Sequence, residues 1–422
     1  MCVSSASCIQ INATKMSEII DHPVLKRLSA PGPKRILALD GGGIRGAITL
    51  GFLVQLESHL RKRHKNPNLL LRDYFDLIGG TSTGSIIAAS LAIGMNTQDI
   101  LTEYGKMGDQ IFEHPAKFWQ VLRLLRQNLF YRNKPAVIES ILQKFYADQT
   151  TGSEFTLGDT RLTTGLCIVT KRVDTFSVWP MHNNPKGRYY PDNKDLPLWR
   201  VVRASSAAPT FFPPTIFGFD PSGKEGAFVD GGVSMYNNPA MLLYLMATLK
   251  GYRFEWPTGE DKLMVVSVGT GTSNVKFTAE EVRQLGKKNA IFWGSTVPDM
   301  FIRDASEYNE MLMQSLSKSP TARKIDSEVR NLEGDLLAGT PRLHYLRYNA
   351  TVNNEDIALN ANLTAQDHQK FPKVASVAEM MKMDAGHHVF HLAEIGKRAA
   401  ETSLGAEQFE AHFPSCFDLP RT

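Results

Sequence analysis

Ser82 stands in Gly80-Thr81-Ser82-Thr83-Gly84, a G-x-S-x-G pattern in which a serine hydroxyl becomes a nucleophile when a sharp strand-to-helix turn exposes it. Glycines on both sides suit such a turn: side chains at Gly80 and Gly84 would collide across it, while the serine is forced into a strained, outward conformation. A serine of this kind needs a base and donors for the oxyanion that develops during acyl transfer. Asp230, in Asp230-Gly231-Gly232, closes the apolar run Ala227 to Asp230, and a carboxylate there can take the serine proton and return it to a leaving alcohol. Asp40-Gly41-Gly42-Gly43-Ile44-Arg45-Gly46 opens a helix after a strand, so its N–H groups form a nest for negative charge with the helix dipole behind it. Gly42 and Gly43 are therefore the expected oxyanion amides, with the Thr83 amide assisting. Arg45 either sets a cation beside the same oxygen or makes an ordinary ion pair, and the sequence leaves both open.

Other chemistries fit less well. Gly41, Gly43 and Gly46 satisfy the dinucleotide fingerprint G-x-G-x-x-G, but the acidic residue expected roughly 20 positions on is misplaced: Glu57 falls inside the helix, and Asp73 and Asp76 precede or begin the next strand. A P-loop fails because Ala47 stands where lysine is required. His387, His388 and His391 put two imidazoles four apart on one helical face, yet H-E-x-x-H is absent, and they are read as packing or surface histidines. No metal and no cofactor is expected.

The elements that must hold these groups follow from periodicity. Arg35 to Asp40 reads as a buried strand, followed by glycines and a helix over Gly46 to His64 with Ile48, Phe52, Leu53, Leu56 and Leu60 on one face. Tyr74 to Gly79, the tight turn and Ser85 to Ile93 repeat that strand, turn and helix. Two such units favour a parallel sheet covered by helices on both faces. Strands are expected at 162–170, 175–181, 227–230 and 263–268, and a helix at 196–208, so that the sheet runs from about residue 35 to 272. Beyond it, 278–317, 374–383 and 385–402 read as helices, with one strand-like insert at Leu343 to Tyr348.

With 422 residues, 42% hydrophobic and 21% charged, the chain can bury a large core, and wholesale disorder is excluded. Its four cysteines show no C-x-x-C spacing, which suits a reducing, cytoplasmic setting, and the longest nearly apolar stretch, Ile86 to Met95, is half of what a membrane span needs. Residues 1–33 are expected to be a leader, partly flexible, with Met16 as a second start. The net charge of +4 is mild and no nucleic-acid reader motif accompanies it. The basic run Arg61 to Lys65 either complements the dipole of its helix or meets an anionic lipid surface. Phe118, Trp119, Phe130 and Tyr131 read as core or as a membrane-docking surface.

Taken in order, the glycine loop at 40–46, the elbow at 80–84 and Asp230-Gly231-Gly232 resemble the patatin-like phospholipases, as does Ser205-Ser206-Ala207-Ala208-Pro209 ahead of the aspartate. The resemblance covers residues 34–272 and, more weakly, 347–349 and 395–400. It implies a three-layer α/β/α sandwich with a mostly parallel sheet, a catalytic domain at 34–272, and a mainly helical extension at 273–422. It also implies a Ser82–Asp230 dyad without histidine, and an oxyanion hole at Gly41, Gly42 and Gly43. The activity implied is hydrolysis of fatty-acyl esters of membrane phospholipids, at the membrane surface and without metal. Three further possibilities stay open: another acyl lipid as substrate (a lysophospholipid, galactolipid or acylglycerol), a small-molecule activator acting through the extension, and a homodimer.

Overall fold

The computed structural model describes residues 21–420 apart from 112–134, 149, 210, 219–223, 274–277, 333, 368–369, 371–372, 375 and 384–385. The aromatic group Phe118, Trp119, Phe130 and Tyr131 lies outside the described residues. The chain forms β1 (Lys34–Leu39), α1 (Gly46–Arg63), β2 (Leu77–Thr81), α2 (Thr83–Ile93), α3 (Thr97–Ile111), β3 (Gly165–Arg172), β4 (Val178–His182), α4 (Leu198–Ser205), β5 (Thr215–Gly218) and β6 (Glu225–Asp230). It continues through α5 (Ala240–Thr248), β7 (Leu263–Val268), β8 (Thr272–Ser273), α6 (Ala290–Leu316), β9 (Ser317–Lys318), β10 (Leu343–Tyr348), β11 (Thr351–Val352) and α7 (Val389–Ser403), with further helices between, Pro135–Phe145 and Asn354–Gln366 among them.

The main sheet has the order β5-β6-β3-β2-β1-β7-β10-β9, with β4 also paired to β3, and β8 pairs with β11 apart from it. From β3 to β9 the pairings are parallel; those of β3 with β4 and β6, and of β5 with β6, are antiparallel. All six residues of β1, β7 and β10 are buried, the pattern of parallel strands covered on both faces. The coverage follows from the pleat. Gly79 faces Leu243 of α5, while its neighbour Gly80 faces the start of α2, so the two helices lie on opposite faces. Helices, sheet and helices make an α/β/α sandwich.

On the α2 side, α1 buries Ile48, Phe52, Leu53, Leu56 and Leu60 at the spacing its sequence shows, and each such burial contributes roughly 1.5–3 kcal/mol. Its basic end turns inward in part: Arg61 pairs with Glu57, and Arg63 Nε lies 2.7 Å from Asp418. No helix among the described residues is long and apolar enough to cross a membrane.

Several expectations need correction. The sheet does not stop near 272: the strand-like insert at 343–348 is β10, an inner strand between β7 and β9. Residues 71–74 form a helical turn, with the Asp73 carboxylate accepting the Leu70 amide at 3.0 Å, so β2 starts at Leu77 rather than Tyr74. The helix expected at 374–383 shrinks to Val377–Met380, and that at 278–317 divides into Ala279–Leu285 and α6.

β1 leads on to β2 on one side, while its other neighbour, β7, leads on to β9 and β10 on the other, so the connections after these two adjacent strands leave their carboxyl ends in opposite directions. A crevice opens at such a switch point, and α/β proteins place their ligands there. The loops after β1, β2 and β7 all reach it.

Candidate active site

Ser82 sits between β2 and α2 with φ 53° and ψ −123°, a strained conformation for a non-glycine residue. The turn is tight enough that a Cβ on Gly80 would lie 2.0 Å from the Gly84 carbonyl oxygen, and one on Gly84 2.2 Å from that of Leu39. Both glycines are required by space. The Ser82 amide donates to Ser205 Oγ at 2.9 Å, and Ser205 Oγ donates to the Val169 carbonyl at 2.7 Å, which ties the elbow to β3 through the end of α4.

Asp230 reaches the serine because β3 overhangs β2. Thr81 is level with Val169 and Asp230 with Thr170, so β6, running antiparallel to β3, comes back toward the sheet and ends one step beyond Thr81. There Ser82 Oγ donates to Asp230 Oδ2 at 2.5 Å, and the Gly232 amide donates to Oδ1 at 2.7 Å. Burial pushes the Asp230 carboxyl up to about 6, against the pull of the two hydrogen bonds. A carboxylate in that range is ionised at neutral pH yet basic enough to take a proton in a reaction.

The glycine loop is held by its carbonyls. Gly41 O accepts from Thr270 Oγ1 at 3.0 Å and Asn237 Nδ2 at 3.3 Å, and Gly42 O accepts from Arg45 Nε at 3.2 Å. In a trans peptide the N–H points opposite to the C=O, so these clamps fix the directions of the Gly42 and Gly43 N–H groups. Those two amides and that of Thr83 have no acceptor among the described residues, and all three residues line the same cavity as Ser82. Gly41 differs from expectation. Its own N–H is spent on the Asn237 carbonyl at 3.0 Å, because the loop crosses the chain there, so its share in the loop is through its carbonyl. Of the two readings of Arg45, the structure shows a third: its guanidinium braces the loop.

Two further braces come from residues that spacing did not single out. Tyr104 of α3 donates to the Gly43 carbonyl at 2.7 Å and shares a hydrogen bond with Thr83 Oγ1; burial pushes its phenol pKa up, which keeps the donor protonated. Arg347 of β10 grips Asp40, the residue that begins the loop, through Nη1 at 2.9 Å and Nη2 at 2.6 Å. Burial alone would lower the Arg347 pKa, but Asp40 and then Glu310 outweigh it and push it up. Ser205 and Arg347 stood inside stretches that the sequence had marked; Tyr104, Asn237 and Thr270 had not been singled out.

Ser82, Asp230 and the loop open onto a cavity of about 150 Å³ whose other walls include Ile86, Met107, Ile138, Phe212, Ile302 and Met383. Among the described residues no histidine lines it. His388 and His391 are buried elsewhere, His391 against Asn360, and no group of three metal-ligating side chains occurs among the described residues.

A model of the patatin-like phospholipase family matches residues 37–244. Patatin-like protein 2 of Oryza sativa subsp. japonica is 31% identical over 289 residues, spanning 63% of this chain and 68% of its own length. The chain belongs to the patatin-like phospholipase family. Patatin-like protein 2 of Arabidopsis thaliana is 30% identical over 340 residues, with 76% of this chain and 80% of that one covered. Patatin-T5 of Solanum tuberosum is 28% identical over 276 residues, covering 60% and 64%. This patatin-like chain is a lipid acyl hydrolase. Its glycine loop, elbow and Asp230 fall within the matched span, whereas Arg347 lies beyond it.

Proposed function

We propose that this protein hydrolyses fatty-acyl esters of membrane phospholipids through Ser82 and Asp230. The observation that carries the reading is the 2.5 Å hydrogen bond from Ser82 Oγ to a buried, raised-pKa carboxylate at the mouth of a largely apolar cavity. Ser82 Oγ attacks the ester carbonyl carbon as Asp230 takes its proton. Charge gathers on the former carbonyl oxygen, where the Gly42, Gly43 and Thr83 amides receive it; one such donor is worth about 2.7–4 kcal/mol. Collapse breaks the ester C–O bond, and Asp230 returns the proton to the departing glycerol oxygen, leaving an acyl-Ser82. Water then attacks the acyl carbon and gives its proton to Asp230. A second collapse frees the fatty acid and restores the serine hydroxyl with that proton. The apolar walls suit an acyl chain, and the work is done at the membrane surface.

Fatty-acid release from phosphatidylcholine vesicles tests this. Ser82→Ala should abolish it while melting like the parent, and retained turnover would remove Ser82 from the mechanism.

A further inference from the structure

Among the groups the chemistry leaves unused, α6 is the most informative. At about 100° per residue, Trp293, Val297, Met300, Phe301 and Tyr308 fall on one side of this helix. All five are exposed, Phe301 at 68% and Trp293 at 39% of their full surface. Large apolar side chains contiguous in this way mark a surface that meets another phase or partner.

The opposite side of α6 belongs to the active site. Ile302 lines the cavity, Ser306 Oγ accepts from Asn237 Nδ2 at 3.4 Å, and Asn309 donates to the Met235 carbonyl. Asn237 and Met235 lie on the loop that follows Asp230. That loop presents two more exposed apolar groups: Val233, which also lines the cavity, and Met235. Through Val233 the exposed apolar surface of that loop is continuous with the cavity wall, and α6, which packs on the loop through Asn309, carries the apolar stripe on its outer side.

We propose that the outer stripe of α6, together with the 233–235 loop, is the face with which the protein docks on a lipid bilayer. This rests on the acyl-ester reading of the same site. A fatty-acyl chain leaving a bilayer has to cross from one apolar environment to another, and an exposed Val233 that also lines the cavity shortens its passage through water, while the α6 stripe adds apolar area to hold the protein on the lipid. Charge does not choose the surface: Lys287, Lys288 and Arg303 are interspersed with Asp299, Asp304 and Glu307 along and beside the helix. The contact is apolar and serves zwitterionic as well as anionic lipid.

The test uses the full chain with Ser82→Ala, which binds without consuming lipid, and phosphatidylcholine vesicles. Trp293→Gln, Met300→Gln and Phe301→Gln combined should lower partitioning by about tenfold or more, equally at low and high salt. The same triple variant with Ser82 intact should hydrolyse a soluble short-chain ester at the parental rate. Undiminished vesicle binding overturns the proposal, as does a loss of oligomer with binding intact, which would assign the stripe to a second copy of the chain. Should the triple variant fold poorly, brominated phosphatidylcholine decides: the wild type should show fluorescence quenching that Trp293→Phe loses, and equal quenching in both overturns docking through α6. A failure of the acyl-ester reading is separable, because it appears as turnover by Ser82→Ala.

Discussion

Arg347 and Asp40 form a bidentate, buried ion pair that joins an inner strand of the last third of the chain to the first residue of the glycine loop. Ser267 accepts a further hydrogen bond from the same guanidinium at 2.8 Å. The pair places the loop. Breaking it from one side leaves a buried charge without an answer.

Arg347→Ala should therefore destabilise the protein by about 3–5 kcal/mol in urea denaturation. Adding Asp40→Asn should restore part of that stability, since the stranded charge is gone, but the rate should stay low because the loop has lost its anchor. Full recovery of kcat in the double variant would deny Arg347 a positioning role.

Asp230 links rate and stability to pH in opposite senses. The base form is lost as pH falls through about 6, so kcat/KM on a soluble ester should be level above that value and drop about tenfold per unit below it. The folded carboxyl is raised above its ordinary 3.8, so its contribution to stability is full at low pH and disappears as pH rises through about 6. Asp230→Asn should be inactive at every pH yet more resistant to urea above pH 6, by about 2–3 kcal/mol at roughly 1.4 kcal/mol per pH unit. Below about pH 4 the two proteins should unfold alike.

Ser205→Ala removes the acceptor of the Ser82 amide. A stability loss of about 1–2 kcal/mol is expected, together with a fall in kcat at nearly constant KM, because an elbow in a strained conformation loses its tie to β3. Ser205→Thr should recover part of the rate by restoring the hydroxyl. A KM effect alone would point instead to a role in substrate binding.

How much of this was written in the sequence depends on the range of the interaction. The elbow and the glycine loop are runs of five and seven consecutive residues and were legible as such, although most of what crowds their glycines, the Leu39 carbonyl beside Gly84 and Thr270 beside Gly42, lies far away in sequence. β6 was visible as an apolar run; its antiparallel descent along the overhang of β3, which delivers Asp230, was not, because register across strands leaves no mark on either one alone. β10 looked like an isolated insert since no glycine turn follows it and the next helix, Asn354–Gln366, buries Asn360 rather than an apolar stripe. Tyr104 and Thr270 act through single hydrogen bonds to backbone carbonyls, and nothing in the spacing of a tyrosine or threonine records such a partner.

The histidines offer a contrast. Burial, and then the neighbouring His387, hold His391 down at about 4, so it is neutral in the folded protein; its contribution to stability is full above about 6.5 and is lost as pH falls from there toward 4. His391→Gln should leave the rate at pH 8 within about twofold of the parent and make stability less steep in that acid window. A collapse of kcat with unchanged stability would bring the histidine into the chemistry.

Arg347 is 307 residues downstream of the aspartate it neutralises. During synthesis, Ser82 and Asp230 leave the ribosome long before the strand that completes their loop. A growing chain thus carries Ser82 and Asp230 with the glycine loop beside them still without its anchor, and on the mechanism proposed above hydrolysis would await the docking of the final third.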